Sequence, residues 1–594
     1  MASSPALPSW LVRAELGVLG VALAVRLIAL ARFEASPMSR HPMVDAYTYW
    51  SQAQELFNGG DPFARDGFYQ PPAYPWILAK LGALAGGMDL GTVRQVQLLL
   101  GMITTWMVLR LGRRVAAATG VPWAGLVAGT LFGLFPSVVM FEHDILTPAM
   151  SLAAFVGGLL LMLAAQEDAS PGARGWAVLA VGGLLLGVSA AIHPTLLLGA
   201  LPVLVVTALG LRRSPARVLG LVLAVSAPFV PTVSENFDRF GTPTLVSHNA
   251  GINLYLGNNA NFRETMFFRP GLPFRQLALE AEPADRDLPA RNAYWKDRVW
   301  SEAWASPRVA ASVLAVKALW SVNTTEIPRN EDYRCRTRPG ESLGFLRWIP
   351  VRFGLVFPFA LIGAVVAVRR RREVPALAVL PVTWIALHVP LILFFPTDRY
   401  RLASWPVVVV LAAWGLAVAV RDWRQVPRPA AILAVLGLVL AHWPIDPRTD
   451  MDPALCRYAE GNLHYMEQEW AAAEAAYTDM LKAHPDDVGA HGWLASLAER
   501  RKDYPTAIQH MDVVIRQFPD HFPSLKSMAD YHYYSGDKAG CVVYLKRAYA
   551  VPGNRTNTGV KLVKLLRKMG RTAEAQAIQD ADPKLKGHPK LTGG

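Results

Sequence analysis

Apolar stretches able to cross about 30 Å of hydrocarbon, roughly 20 residues each when helical, recur along the first 445 residues of this chain and then stop. They fall approximately at 14–32, 94–110, 121–140, 145–165, 176–192, 194–210, 216–232, 349–368, 374–395, 402–420 and 429–444. About eleven such segments imply an all-α polytopic membrane helix bundle. The 594 residues are 52% hydrophobic and only 18% charged, too apolar for a set of soluble domains. The net charge of +13 implies no nucleic-acid partner, because the arginines cluster in short loops between apolar segments. Arg26 interrupts the first apolar run, which favours an uncleaved anchor over a signal peptide.

Orientation follows from those loops, since short Lys/Arg-rich loops stay on the cytoplasmic side. Arg110–Arg114, Leu211–Arg217, Arg369–Arg372 and Arg421–Arg428 all fall on one side if residues 71–88 and 306–322 do not cross. The first of these begins with Pro71, Pro72 and Pro75 and ends in Gly86-Gly87; the second carries Arg308 and Lys317 among apolar residues. Both read as outer juxtamembrane helices in contact with membrane lipids. The outer side then holds loops 33–93 and 233–345 and everything beyond about 445. Ala- and Arg-rich usage points to a bacterial inner membrane, with these loops on the periplasmic or other extracytoplasmic side.

Beyond Pro453 the chain turns polar and repeats with the spacing of Pro485 and Pro519, 34 residues, the period of tetratricopeptide helix-turn-helix units. That spacing aligns Gly461, Ala495, Ala529 and Val563, and also Ala473, Ala507, Cys541 and Ala575. Small residues at such positions let the helices of each pair pack closely. Two domains are therefore expected: a transmembrane domain over 1–445, and an α-solenoid over 453–588 that binds a protein partner or acceptor.

Four polar clusters share the outer side. In Val44-Asp45-Ala46-Tyr47-Thr48-Tyr49-Trp50, Asp45 reads either as a helix N-cap or as a base able to take a proton from a hydroxyl. Tyr49, and Tyr69 nearby, offer rings to a substrate. Phe141-Glu142-His143-Asp144 is squeezed between two apolar segments; its two acids and histidine could hold a divalent metal, orient an acceptor or share the base role with Asp45, or its acids could cap the next helix. No cofactor follows from the residues, and a metal held by Glu142 or Asp144 is the one candidate left open. Three scattered cysteines without C-x-x-C spacing make no zinc site.

The third cluster, His248-Asn249-Ala250-Gly251-Ile252-Asn253-Leu254-Tyr255-Leu256-Gly257-Asn258-Asn259, reads as an Asn/Gly-rich turn. Its amides could bind sugar hydroxyls, with His248 and Tyr255 beside them. The fourth, Pro396-Thr397-Asp398-Arg399-Tyr400-Arg401, puts two guanidinium groups on the outer side against the positive-inside trend. Arginines there suit a phosphate or lipid head groups.

Together Asp45, Tyr69–Trp76, Glu142, Asn253–Asn259 and Asp398–Leu402 resemble membrane glycosyltransferases of the C-type fold, over roughly residues 10–445. Within that group they resemble the protein O-mannosyltransferases and aminoarabinose transferases. The resemblance implies a polyprenyl-phosphate sugar donor and transfer to a protein, lipid or glycan acceptor on the outer face. It also implies Asp45 as acceptor-activating base, Glu142 as a second acidic site residue, and Arg399 or Arg401 on the donor phosphate. Direct displacement would invert the anomeric configuration. Two rival readings remain, a transporter and a non-catalytic membrane scaffold presenting the repeats. A transporter should show repeat symmetry and interrupted spans, and neither is visible.

Overall fold

A computed structural model describes the chain apart from residues 1–7, 65–66, 168–171, 269–271, 282–286, 330–331, 373–376, 446–452, 552–554 and 593–594. Among the described residues every regular element is helical and no strand occurs. The chain forms two compact units, Met1–Arg269 with Arg286–Met451, and Pro270–Asp285 with Asp452–Gly594.

The first unit begins with α1 (Ser9–Glu34), α2 (Asp45–Phe57), α3 (Ala73–Ala85), α4 (Leu90–Thr119), α5 (Ala124–Gly133), α6 (Pro136–His143) and α7 (Pro148–Glu167). It continues through α8 (Ala173–Ile192), α9 (Leu196–Gly210), α10 (Pro215–Ser226), α11 (Val230–Phe240), α12 (Ala250–Gly257) and α13 (Phe262–Thr265). The next segment, α14 (Leu272–Leu279), belongs to the second unit. The first unit resumes at α15 (Leu288–Ala305), α16 (Pro307–Val322), α17 (Tyr333–Arg336), α18 (Phe353–Arg369) and α19 (Leu380–Leu393). It closes with α20 (Asp398–Arg401), α21 (Trp405–Arg421) and α22 (Arg428–Ala441).

Five of the described helical segments are long and apolar enough to cross a membrane: Ser9–Glu34, Pro148–Gln166, Ala173–Ile192, Pro215–Phe240 and Asp398–Arg421. The pair α5–α6, bent by 47°, is a broken span or a re-entrant loop and counts as a sixth in the first case. Shorter apolar helices at Leu196–Gly210, Phe353–Arg369, Leu377–Leu393 and Arg428–Ala441 coincide with four further expected segments. Among the described residues length and apolarity alone thus count five crossings, or six with the bent pair, which does not confirm the expected eleven, and the chain is an integral membrane protein. Burial sorts these helices. α21 is enclosed by α4, α5 and α18, with Trp405 and Trp414 fully buried. α1 instead turns Leu16, Val21, Leu27 and Ile28 outward, as a lipid-facing helix does.

The α5–α6 bend has a local cause. Pro136 at the start of α6 cannot donate into the preceding turn. The carbonyl of Gly133 left beside the break accepts from Arg26 Nη1 at 2.7 Å. The charge that interrupts the first apolar segment is thus the group that repairs a broken helix inside the bundle.

In the second unit, α23 (Pro453–Met466) pairs with α24 (Trp470–Ala483), α25 (Val488–Arg500) with α26 (Tyr504–Gln517), and α27 (Phe522–Tyr534) with α28 (Lys538–Ala550). A fourth pair is α29 (Arg555–Lys568) with α30 (Thr572–Ala581), followed by the short α31 (Pro589–Thr592). The turn inside each pair needs one left-handed residue, and the four with positive φ are Gln468 (62°), Lys502 (60°), Gly536 (90°) and Gly570 (75°). They share the repeat spacing, so the period is written in backbone conformation as well as in side-chain size. Ala473, Ala507, Cys541 and Ala575 are all buried where the paired helices meet. Asp487, Asp503 and Asp537 cap the helices that follow them through side-chain oxygens.

Candidate active site

Asp45 is the first residue of α2, one position past the capping residue Val44. Its carboxylate does not act alone: Gln70 Nε2 donates to Oδ1 at 3.0 Å, and Arg399 Nη1 donates to Oδ2 at 2.8 Å. The Asp45 side chain keeps 18% of its surface exposed and Arg399 9%. Val44 holds φ 54° and ψ −121°, a costly backbone for a β-branched residue. That strain sits directly before the carboxylate.

Tyr49, one turn along α2, packs edge-on against Tyr74 of α3 with ring centroids 5.2 Å apart. Burial, and then the charge of Asp45, push its phenol well above the ordinary value, so it stays protonated behind the carboxylate. Tyr74 donates to Gln97 Oε1 at 2.7 Å, fixing α3 to α4. Tyr69 is 38% exposed and faces outward beside Gln70.

Arg399 lies in α20, which runs through a single 3₁₀ turn into α21. The expected loop at 396–401 is therefore the first turn of a membrane helix, with Asp398 at its N-terminal end where a carboxylate is favoured. The two arginines diverge. Arg401 pairs with Glu326 at 2.7 Å, donates to the Asn323 carbonyl and lies over Phe353. Only Arg399 meets Asp45.

A second cation completes the cluster. Arg329 lies 3.9 Å from the ring centroid of Phe395 and donates to the Met266 carbonyl at 2.6 Å and to Asn253 Oδ1 at 3.3 Å. Burial lowers its pKa, while Asp45, Tyr400 and Tyr69 act to raise it and Arg399 to lower it, which places all five in one electrostatic neighbourhood. Nothing in the sequence marked Arg329. It is one arginine among many in the 233–345 loop, and only the fold carries it to Asp45.

Glu142 occupies the last turn of α6, not an open turn. It forms a two-point ion pair with Arg26, Nε to Oε2 at 2.7 Å and Nη2 to Oε1 at 2.9 Å, and is 3% exposed. A side chain at Gly101 of α4 would collide with that carboxylate, so glycine there makes the space. His143 turns Nδ1 to the Val139 carbonyl at 2.6 Å. Asp144 accepts from Arg336 at 3.1 Å, while its Oδ2 is buried without a partner. It does not cap α7, which starts at Pro148. Arg94 and Gln97 hold this turn through the carbonyls of Glu142, His143 and Asp144. A divalent metal does not fit these acids: Glu142 is filled by a guanidinium, and Arg336 and Arg94 both act on Asp144. Among the described residues no group of three or more His, Cys, Asp or Glu could hold a metal ion.

The Asn/Gly segment is a helix, α12, rather than a turn. Gly251 and Gly257 sit so close to Asn292 and to the Phe394 carbonyl that a Cβ would clash at either. Asn258 donates to the carbonyls of Leu254 and Leu393 and accepts from Lys317 Nζ at 2.7 Å. Asn259 bonds Tyr255 O and Thr265 Oγ1. Asn249 takes the Ser247 hydroxyl, His248 meets Asn236 Oδ1 at 3.0 Å, and Tyr255 packs on Trp295. Of this motif the structure brings only Asn253 to the Asp45 cluster, through Arg329. Asn258 ties α12 to α16 and the end of α19 and Tyr255 ties it to α15, whereas His248 pairs with α11 and Asn249 and Asn259 bond within their own segment.

An apolar groove of about 380 Å³ runs between α3 and the end of α8, lined by Ala73, Trp76, Ile77, Leu81, Val188 and Ala191. Lys80 is its one charged wall residue. Two residues beyond Ala191, the His193 ring lies 5.4 Å from that of Tyr400, next to Arg399.

Residues 458–522 match the tetratricopeptide repeat family model. No curated protein sequence matches the chain. Among solved structures the chain is similar to ArnT from Cupriavidus metallidurans bound to undecaprenyl phosphate, at 16% identity over 92% of this chain and 79% of that one, with a TM-score of 0.40. It is also similar to the oligosaccharyltransferase AglB from Archaeoglobus fulgidus, in complex with an inhibitory peptide and a dolichol-phosphate, at 15% identity over 74% and 55% of the two chains and a TM-score of 0.37. A third is the S. cerevisiae protein O-mannosyltransferase Pmt1-Pmt2 complex bound to the sugar donor, at 18% identity over 44% and 37%, with a TM-score of 0.30. The chain spans 55% of the archaeal enzyme's length. These structural neighbours are glycosyltransferases of the C-type fold.

Proposed function

We propose that this protein is an integral-membrane glycosyltransferase that moves a sugar from a polyprenyl-phosphate donor to an acceptor hydroxyl on the extracytoplasmic face. The observation that carries this reading is the Asp45–Arg399 pair, partly open and flanked by Arg329. A carboxylate with two guanidinium groups is what the chemistry needs: a base for the incoming hydroxyl and cations for the departing phosphate.

In this mechanism Asp45 takes the acceptor proton as the hydroxyl oxygen bonds to the anomeric carbon. The bond from that carbon to the phosphate oxygen breaks, and the polyprenyl phosphate leaves with the electron pair. Arg329 holds the phosphate of the bound donor, and Arg399, once phosphate competes with Asp45 for it, holds the growing charge. Loss of Arg399 to the phosphate also returns basicity to Asp45 when it is needed. One displacement inverts the anomeric centre. The apolar groove beside α3 suits the isoprenoid chain, with Lys80 at its wall. The repeats serve to recruit a protein.

The test is direct. Purified protein in nanodiscs, given a panel of radiolabelled polyprenyl-phosphate sugars, should release polyprenyl phosphate from at least one with sugar appearing on an acceptor. Failure to release it from any of them would overturn the reading.

A further inference from the structure

The helix α14 interrupts the 233–345 loop, yet it is built into the repeat unit. Leu272 packs on the apolar cluster that includes Met511, Val514, Ile515, Leu525 and Met528 of α26 and α27. Three residues on, Arg275 acts electrostatically on His521, the capping residue of α27. Phe274, Leu277 and Ala278 are half-buried, whereas Arg275 and Gln276 are exposed. An eight-residue helix does not hold together by itself in water. Packing on the repeats is therefore what orders it.

We propose that this face of the repeats is a docking site for a short helix that sets a leucine on the apolar cluster of α26 and α27 and an arginine beside His521, and that α14 is its resident occupant. A repeat array uses side-chain pockets along its helices to take such segments. Tethering gives α14 an effective concentration in the millimolar range. A partner segment of the same chemistry must displace it, so α14 sets the threshold for recruitment. The inference concerns peptide binding and stands apart from sugar transfer.

The full-length protein in nanodiscs and a fluorescein-labelled peptide with the sequence of residues 268–281 provide the test. A Leu272→Asp/Arg275→Asp variant, which leaves α23–α30 untouched, should bind the peptide at least about tenfold more tightly than wild type, because the tethered competitor is released. In a second variant residues 272–279 become a Gly-Ser linker. Hydrogen exchange at the start of α27 should then speed up and return to the wild-type rate when the unlabelled peptide is added. Equal peptide binding by wild type and the Asp variant, no binding by either, or exchange at α27 that ignores the linker or the peptide would overturn the proposal.

Discussion

Arg399 Nη1 lies 2.8 Å from Asp45 Oδ2 and so joins two residues 354 positions apart, one opening α2 and the other in the first turn of a membrane helix. An exposed pair of this kind contributes about 1 kcal/mol or less. Here the pair is mostly dry but still reachable, and a strained Val44 stands before it. Arg26–Glu142 shows the alternative, a pair closed off inside the bundle. The first pair stays reachable from outside the bundle and the second does not.

Arg329 should govern donor affinity. Replacing it with Ala removes a charge-assisted contact of about 1.5–3 kcal/mol, so KM for the lipid donor should rise by about tenfold or more while kcat falls less. Arg329→Lys should recover part of the loss, since the charge remains and the fork is gone. Steady-state kinetics with a lipid-linked donor, alongside the unfolding midpoint, decide it. A fall in kcat at constant KM would instead place Arg329 at the transition state.

Glu142 should matter for stability. Glu142→Gln leaves the buried Arg26 without a counter-charge, a loss of about 3 kcal/mol, and the unfolding midpoint in detergent should drop by several degrees. The Arg26→Met/Glu142→Met double variant should recover most of it. Transfer per folded molecule should hold. A Glu142→Gln protein with the wild-type midpoint and no transfer would make Glu142 part of the chemistry.

Much of this was legible in the sequence. Apolar segments placed the helices, and the expected side of the basic loops set Asp45, Glu142, the Asn-rich segment and Arg399 on one face without pairing any two of them. The repeat spacing of Ala473, Ala507, Cys541 and Ala575 foretold the helix pairs. What escaped depends on three-dimensional partners. Arg26 was visible as a charge inside an apolar run, but its match to Glu142 is made by helix packing. Asn258 and Asn259 looked like ligands because amides serve carbonyls and sugars alike, and only the crowding at Gly257 shows which they serve. Arg329 had no local signature at all.

The repeat unit should weaken in acid through His521. Burial, then Arg275, lowers its pKa from 6.5 to about 4. Its ring caps α27 by accepting from the Ser524 amide. The unfolded chain binds the extra proton between those values, so stability is complete above about 6.5 and is lost as pH falls towards 4. His521→Asn keeps a capping acceptor without the titration. The unfolding midpoints of the two proteins should diverge as pH drops from 6.5, with wild type the lower. Parallel curves would remove His521 from the acid response.

The most direct measurement is the rate of sugar transfer by Asp45→Asn from a polyprenyl-phosphate donor. Asparagine keeps the size of the side chain and an oxygen for Arg399 but cannot take a proton. Loss of a positioned general base lowers the rate by roughly 10²–10⁴-fold, and the account predicts a fall of that order with the protein folded and the donor still bound. Transfer at the wild-type rate would contradict it.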